Sequence, residues 1–264
     1  MALPKLEGRI TLAAAVSMTI VEDSGARNAT VVVASAGDYY LTSTAAGGAG
    51  SLLATIAYEL TTNGTLVGTY SVALDDTADS ATGKITISAT GVSNFAVTWV
   101  GTELRNLLGW TGDVTATAAT YTAPEHAEYL FLPGCGRSSN LAPDGDVGVE
   151  RTDGTLAVAP SGAAVALQYS TRYVDVLELA HLKGARTWVS LETTANMSLQ
   201  KFWRDVIGTG KPFRYHIDRS VDATYVTWRT DEDGLRGFNP APVVPGWYGA
   251  SSIWSWRTNV LKLV

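Results

Sequence analysis

The chain reads as an α+β protein built mainly from antiparallel β-structure, with a small helix-on-sheet module inserted in or joined to a β-rich body. Three observations predict this class. Gly, Thr, Val and Ala are abundant and there are eight Trp, and β-branched and aromatic side chains suit strands. Short runs with apolar and polar residues in strict alternation recur along the chain. Only two stretches, Ser51 to Thr61 and Ser198 to Ile207, carry a well-formed helical stripe. A chain of 264 residues is long enough to bury a substantial core as one large or two small domains.

At the N-terminus, Ile10, Leu12, Ala14, Val16, Met18 and Ile20 alternate with Thr11, Ala13, Ala15, Ser17 and Thr19. Period 2 makes Ile10 to Val21 one half-buried strand and not the apolar core of an export signal. No run is long enough to span a membrane as a helix. The turn Glu22-Asp23-Ser24-Gly25 leads to a second strand, Asn28 to Ser35. Ala36-Gly37-Asp38 is expected to fold that strand into a hairpin with Tyr39 to Thr42.

The stretch Leu41 to Asp113 is the compact α+β unit. It opens with the glycine-rich turn Ala45 to Gly50. Leu52, Leu53, Ile56 and Leu60 then form one apolar stripe, with Ser51 as N-cap and Asn63-Gly64 as the stop. Strands centred on Tyr70, Val72 and Leu74, on Ile85 and Ile87, and on Phe95, Val97 and Trp99 are expected to form an antiparallel meander under the helix. Glu103 to Leu108 is a helical turn closed by Gly109, and its Leu-Leu-Gly-Trp segment is expected to plug the module's core. Asp113 to Thr122 is a Thr/Ala-rich connector, followed by the strand-like Tyr129 to Leu132. Gly134 to Pro160, rich in Gly, Pro, Asp and Ser, reads as an extended loop or arm.

The C-terminal part is β-rich. Ala164 to Leu182 fits a strand with Tyr173, Asp175, Leu177 and Leu179 on one face, and Val174, Leu177 and His181 also fit a helical period. Leu199, Phe202, Trp203 and Val206 share the face of a helix ended by Gly208. Lys211 to Asp218, Ala223 to Arg229 and Ser252 to Leu263 read as strands, and the proline-rich 234–249 as a loop. The resulting segmentation is 1–40 for the N-terminal hairpin and assembly strands, 41–122 for the α+β module, 123–160 for the strand and arm, and 161–264 for the β-rich domain with one helix.

Composition narrows function. A net charge of −6 argues against nucleic-acid binding and against a polybasic membrane surface, since both need a cationic footprint. Charged residues make up only 17% of the chain, which suits burial against neighbouring subunits. The single cysteine, Cys135, cannot form an intrachain disulfide and has no matched His. The Gly-Gly-x-Gly-Ser order at 47–51 is neither a dinucleotide fingerprint nor a P-loop. Asp75, Asp76 and Asp79, and likewise Asp144, Asp146, Glu150 and Asp153, cluster in loops in the manner of Ca²⁺ ligands, without EF-hand spacing. His216 and Asp218 place two metal-ligand types on one strand face without a third; His126 and His181 are the other histidines. No nucleophile motif is present. Trp247, Tyr248, Trp254 and Trp256 form an aromatic group near the C-terminus, which suits an interaction surface, a sugar-stacking platform or the core.

The order of the helix Ser51 to Thr61, then Thr82 to Ser88, Phe95 to Trp99, Leu107 to Asp113 and Tyr121 to Pro124, resembles a module of structural proteins from tailed-bacteriophage virions. Leu199 to Trp203 and Gly210 to Asp218 are similar to the β-rich end of tail proteins. Together these cover somewhat more than half of the chain. The resemblance implies a non-enzymatic, ring-forming tail-tip or baseplate subunit of the distal-tail kind, a hexamer joining tail tube to host-binding apparatus. Tail tube, neck and head decoration are alternative positions, and a host-glycan-binding module is an alternative function. It further implies assembly in the host cytoplasm and residence in the virion, with itself and other tail proteins as partners and no cofactor. Ile10 to Val21 and Tyr129 to Leu132 are the candidate strands for intersubunit pairing.

Overall fold

The computed structural model describes residues 4–42, 50–77, 80–133, 148–151, 171–191, 198–216, 218–219, 225–230 and 237–263. The chain is α+β and β-rich, with antiparallel sheets and a few short helices. In order, the strands are β1 (Lys5–Gly8), β2 (Ile10–Leu12), β3 (Val16–Glu22), β4 (Arg27–Ala34) and β5 (Gly37–Tyr39). Helix α1 (Leu52–Thr62) precedes β6 (Thr69–Leu74), β7 (Lys84–Thr90) and β8 (Phe95–Val100). After α2 (Glu103–Leu107) come β9 (Thr120–His126), β10 (Leu130–Phe131), β11 (Gly148–Arg151) and β12 (Thr171–Lys183). The C-terminal part contains α3 (Gly184–Thr187), α4 (Leu199–Asp205), β13 (Phe213–His216), β14 (Tyr225–Thr230), β15 (Ala241–Pro242) and β16 (Ile253–Lys262).

The N-terminal strands form one long hairpin, bent in its middle. Alternation predicts a single strand over 10–21, but Ala13, Ala14 and Ala15 are all exposed and break it into β2 and β3. β3 pairs with β4 from Glu22↔Arg27 to Val16↔Ala34, and β2 continues the ribbon against β5, from Leu12↔Gly37 to Ile10↔Tyr39. The expected hairpin between the strands around 28–35 and 39–42 therefore does not form. Three alanines are too small to anchor a face, so the ribbon turns its corner there.

The meander is also rearranged. β6, β7 and β9 make one sheet, whereas β8 joins β3 in the sheet β4-β3-β8. Both sheets turn their apolar faces into one core containing Met18, Ile20, Ile85, Ile87, Phe95 and Val97. Helix α1 covers one side of this core, where it packs on β4 and β6 with Leu52, Leu53, Ile56 and Leu60 buried. Ser51 caps it by accepting from the Ala54 N–H at 3.2 Å. The chain leaves the helix at an extended Asn63, without a left-handed glycine. The Asp113–Ala119 connector seals the other side. Val114 exchanges backbone hydrogen bonds with Val97, and the Phe95 and Ala89 N–H groups donate to the Ala118 and Ala119 carbonyls. Leu107, Leu108 and Trp110 fill the same core.

The second core belongs to the large antiparallel sheet β10-β1-β13-β14-β16-β12-β11, with β15 also on β16. The residues 171–183 are strand and not helix. Between Leu179 and Leu182 the register against Trp256 and Trp254 shifts by one residue, a β-bulge that keeps Leu177, Leu179 and Leu182 all buried. Helix α4, capped by Ser198, buries Leu199 and Phe202 against this sheet, and the turn after it ends at left-handed Gly210 and not at Gly208.

A carboxylate and a glycine pin the N-terminal module. Buried Glu22 accepts from the Val67 and Gly68 N–H groups at 3.1 and 2.8 Å and from the Tyr70 hydroxyl at 2.9 Å. Burial first, and then this carboxylate, push the Tyr70 phenol upward. Gly109 has φ +81°, and a Cβ there would lie 2.4 Å from the Glu125 carbonyl oxygen. Gly109→Ala is therefore expected to cost about 3 kcal/mol or more. Gly101→Ala, at φ +90° in open space, is expected to cost only about 1–2 kcal/mol. Urea unfolding of the two variants measures the difference.

Candidate functional site

The four rings singled out near the C-terminus do not share a surface. Trp254 and Trp256 are 7% and 2% exposed and belong to the large core, with Trp188 5.3 Å from Trp254 and Phe238 6.3 Å from Trp256. Their common strand face is the inner one, so a four-ring platform is not formed. Trp247 and Tyr248, at 43% and 67% exposure, stand outside.

These two rings top a finger, residues 241–251, that contains no charged residue. Val243 and Val244 are exposed beside them. The finger contains two Gly and two Pro, but its base is firmly tied. β15 pairs with β16, the Val243 N–H donates to Ile253 O at 2.9 Å, and the Ala185 and Gly184 N–H groups donate to Ala250 and Ser252 carbonyls at 3.0 and 2.7 Å. Tyr248 leans on Trp254 at 5.9 Å. The finger is thus a preorganised apolar projection.

Two sheet faces in the N-terminal module carry little charge, with Lys84 at one end of the second the charged residue in these outward rows. On β4-β3-β8 the outward rows are Val32–Ser17–Val100, Thr30–Thr19–Thr98 and Asn28–Val21–Ala96. On β6-β7-β9 they include Ser71–Ser88–Thr120 and Ala73–Thr86–Thr122. Threonine pairs bridge neighbouring strands, Thr19–Thr30 at 2.8 Å and Thr86–Thr122 at 2.9 Å.

The acidic and histidine candidates have structural partners. Asp75 accepts from the Thr82 N–H and hydroxyl at 2.9 and 2.6 Å, closing the turn between β6 and β7. Asp76 is bound to Lys5 at 2.7 Å. Neither carboxylate is arranged around a cation. Asp79, Asp144, Asp146, Asp153, Cys135, the glycine-rich turn through Ala49, and the side chains of Glu150 and His181 lie outside the described residues. Among the described residues no three His, Cys, Asp or Glu side chains group as metal ligands. His126 is buried, and burial, followed by the charges of Arg186 and Lys84, lowers its pKa to about 4.

The polar cluster at β1 gave no sequence signal. All four β1 residues are buried. Leu6 points into the large core, while Lys5 and Glu7 point the other way. Lys5 Nζ reaches Asp76 at 2.7 Å, Thr42 Oγ1 at 2.9 Å and Glu7 at 3.5 Å. Glu7 accepts from the Thr42 N–H at 3.2 Å, from the Thr42 hydroxyl, and from His216 Nε2 at 3.1 Å. His216, placed here by strand pairing of β1 with β13, is therefore a partner of Glu7, and no metal-ligand set with Asp218 forms around it. Burial alone would raise the Glu7 pKa, but the His216 hydrogen bond, the Lys5 and His216 charges and the Thr42 hydroxyl together hold it below its ordinary value.

Asp76→Ala removes the shortest contact of Lys5 but leaves it Glu7 at 3.5 Å and Thr42 at 2.9 Å, so it is expected to destabilise by about 1–3 kcal/mol. The double variant Lys5→Met/Asp76→Ala, which also takes the ammonium from buried Glu7, should lose more than Asp76→Ala alone in denaturant unfolding. Acid should act in two steps. His126 has a folded pKa of about 4 against an ordinary 6.5, so the unfolded chain takes up the proton first and stability falls between those values as pH drops. Glu7 adds a second loss below the ordinary carboxylate range, where the unfolded chain again protonates first. Unfolding midpoints against pH should lose the upper step in His126→Gln and the lower step in Glu7→Gln. Comparison with protein-family models, with curated proteins and with solved structures finds no match to this chain.

Proposed function

We propose that this chain is a non-enzymatic structural subunit of a tailed-bacteriophage virion, and specifically a ring-forming tail-tip or baseplate protein of the distal-tail kind. The observation that carries the assembly reading is the tied, uncharged finger with Trp247 and Tyr248 at its tip. Rigid exposed aromatics with little conformational entropy to lose are the side chains that dominate protein interfaces. The Thr/Val/Ser sheet rows, with Lys84 at one end, add surface that a neighbour covers with few ions to desolvate. The particle is suggested by the resemblance of the Ser51–Pro124 order to a module of tailed-phage virion proteins and of Leu199–Trp203 and Gly210–Asp218 to the β-rich end of tail proteins. Tail tube, neck and head decoration remain alternative positions under the same reading.

The exposed pair Trp247 and Tyr248 also suits stacking on a host glycan, although with two rings and not four. Glycan-array binding by the wild type, lost in the Trp247→Ala/Tyr248→Ala variant while oligomerisation persists, would favour that function instead.

The assembly reading is tested on the purified protein by native mass spectrometry and light scattering, alone and with the neighbouring tail proteins. A closed ring is expected. Trp247→Ala/Tyr248→Ala should weaken assembly at least tenfold, about 1.4 kcal/mol or more, with the unfolding midpoint little changed. A wild-type chain that stays monomeric and binds no other virion protein overturns the proposal.

A further inference from the structure

Arg214 on β13 holds a hydrogen-bonding fork with no acceptor among the described residues. Its guanidinium lies between two tyrosine rings, with Cζ 3.8 Å from the centre of Tyr40 and 4.1 Å from that of Tyr225. Nη1 donates to the Thr42 carbonyl at 3.4 Å, the one hydrogen bond of this side chain among the described residues. Nε is buried with no hydrogen-bond partner. The carboxylate nearest in register, on Glu7 across the β1–β13 ladder, is engaged by Lys5, Thr42 and His216. Arg9, the other arginine whose field reaches Tyr40, is paired with Asp38 at 3.3 Å.

We propose that Nε–H and Nη2–H of Arg214 form a binding site for a carboxylate. These two donors are parallel and coplanar, and a carboxylate offers two oxygens at matching separation. The tyrosine rings block both faces of the guanidinium, so a ligand enters only in its plane. A planar carboxylate fits that layer, whereas the out-of-plane oxygens of a phosphate meet the rings. A buried donor without an acceptor carries a desolvation cost that a bound oxyanion removes. The ligand is either a small carboxylic acid or a carboxylate on a polypeptide.

The test follows arginine side-chain Nε–H signals by ¹⁵N–¹H NMR at constant ionic strength, with acetate, a capped acidic hexapeptide, phosphate and chloride as titrants. The Arg214 signal, assigned by its loss in Arg214→Lys and by through-bond correlation in the wild type, is expected to shift saturably with acetate or peptide. Half-saturation should fall below about 10 mM. Phosphate should bind at least tenfold more weakly, and Arg214→Lys, which keeps the charge but not the fork, should lose at least tenfold in carboxylate affinity read from the remaining shifted signals. Peptide binding tenfold tighter than acetate assigns a polypeptide ligand, and equal binding assigns a small acid. Tyr225→Leu, which opens one wall, should narrow the preference for carboxylate over phosphate. A shift that is absent, or linear and equal for acetate, phosphate and chloride, overturns the site, as does full acetate affinity in Arg214→Lys.

Discussion

The buried ion cluster around Lys5 and Glu7 is the constraint on which the arrangement of the two cores depends. β1 lies in the large sheet between β10 and β13, with Leu6 in the C-terminal core. Its other face meets Thr42, at the end of the N-terminal hairpin, and Asp76, beyond β6. Two sequence-distant loops of the first module are thereby docked onto one strand of the second. An apolar seam would tolerate sliding, whereas ionic and hydrogen-bonded groups desolvated together have few satisfactory arrangements. Such a cluster adds little net stability over a well-packed apolar seam, but any misalignment leaves a buried charge unpaired. It therefore fixes register more than it deepens the energy minimum.

The N-terminal module needs that fixing because it is closed by dissimilar pieces. Two three-stranded sheets share a core, and neither edge is sealed by simple continuation of a sheet. Helix α1 covers the gap beside β4 and β6, and the Asp113–Ala119 connector bridges β8 to the β7–β9 side. Glu22 serves this closure by gathering the Val67 and Gly68 N–H groups, which emerge after α1, the bond from Gly68 being buried. Gly109 lets Trp110 turn into the core beneath Glu125 and His126, where no side chain fits.

What the sequence made legible follows period and caps. The α1 stripe with Ser51, the α4 stripe, and strands near 69–74, 84–90, 95–100, 213–216 and 253–262 are all written in local alternation. Pairing was not, because alternation marks a buried face and says nothing about the neighbour. Hence β8 was assigned to a meander although its partner is β3, seventy-odd positions earlier by register (Glu22↔Phe95). The corner at Ala13 to Ala15 was hidden because alanine fits either face. β1 was invisible because two of its four residues are charged, and only tertiary pairing with Asp76, Thr42 and His216 makes their burial tolerable. At the candidate surface, Trp247 and Tyr248 were exposed as their Gly/Pro flanks suggest. Trp254 and Trp256 point inward, a distinction that period 2 cannot make without knowing which side of β16 is covered. The Arg214 slot joins residues from three separate segments and carries no local signal.

The distribution of charge separates what holds this chain together from what it offers to others. Several charged groups of the N-terminal half are drawn inward, as with Lys5, Glu7, Glu22 and Asp76, or paired beside turns, as with Arg27 and Asp23 at 3.3 Å. The outward sheet rows and the 241–251 finger are made mostly of Thr, Ser, Val, Ala, Gly, Pro and two aromatics, with Asn28 and Lys84 at row ends. Threonine and serine can satisfy one another across strands, as Thr19–Thr30 and Thr86–Thr122 do, so a covering surface need not supply matching charges. Such faces specify little by electrostatics and must specify by shape. A subunit repeated around a symmetry axis satisfies that requirement readily, because the same rigid shape meets the same neighbour at each interface. In the assembly we propose, specificity falls to features that are both rigid and protruding, and the hydrogen-bonded base beneath Trp247 and Tyr248 gives them that rigidity.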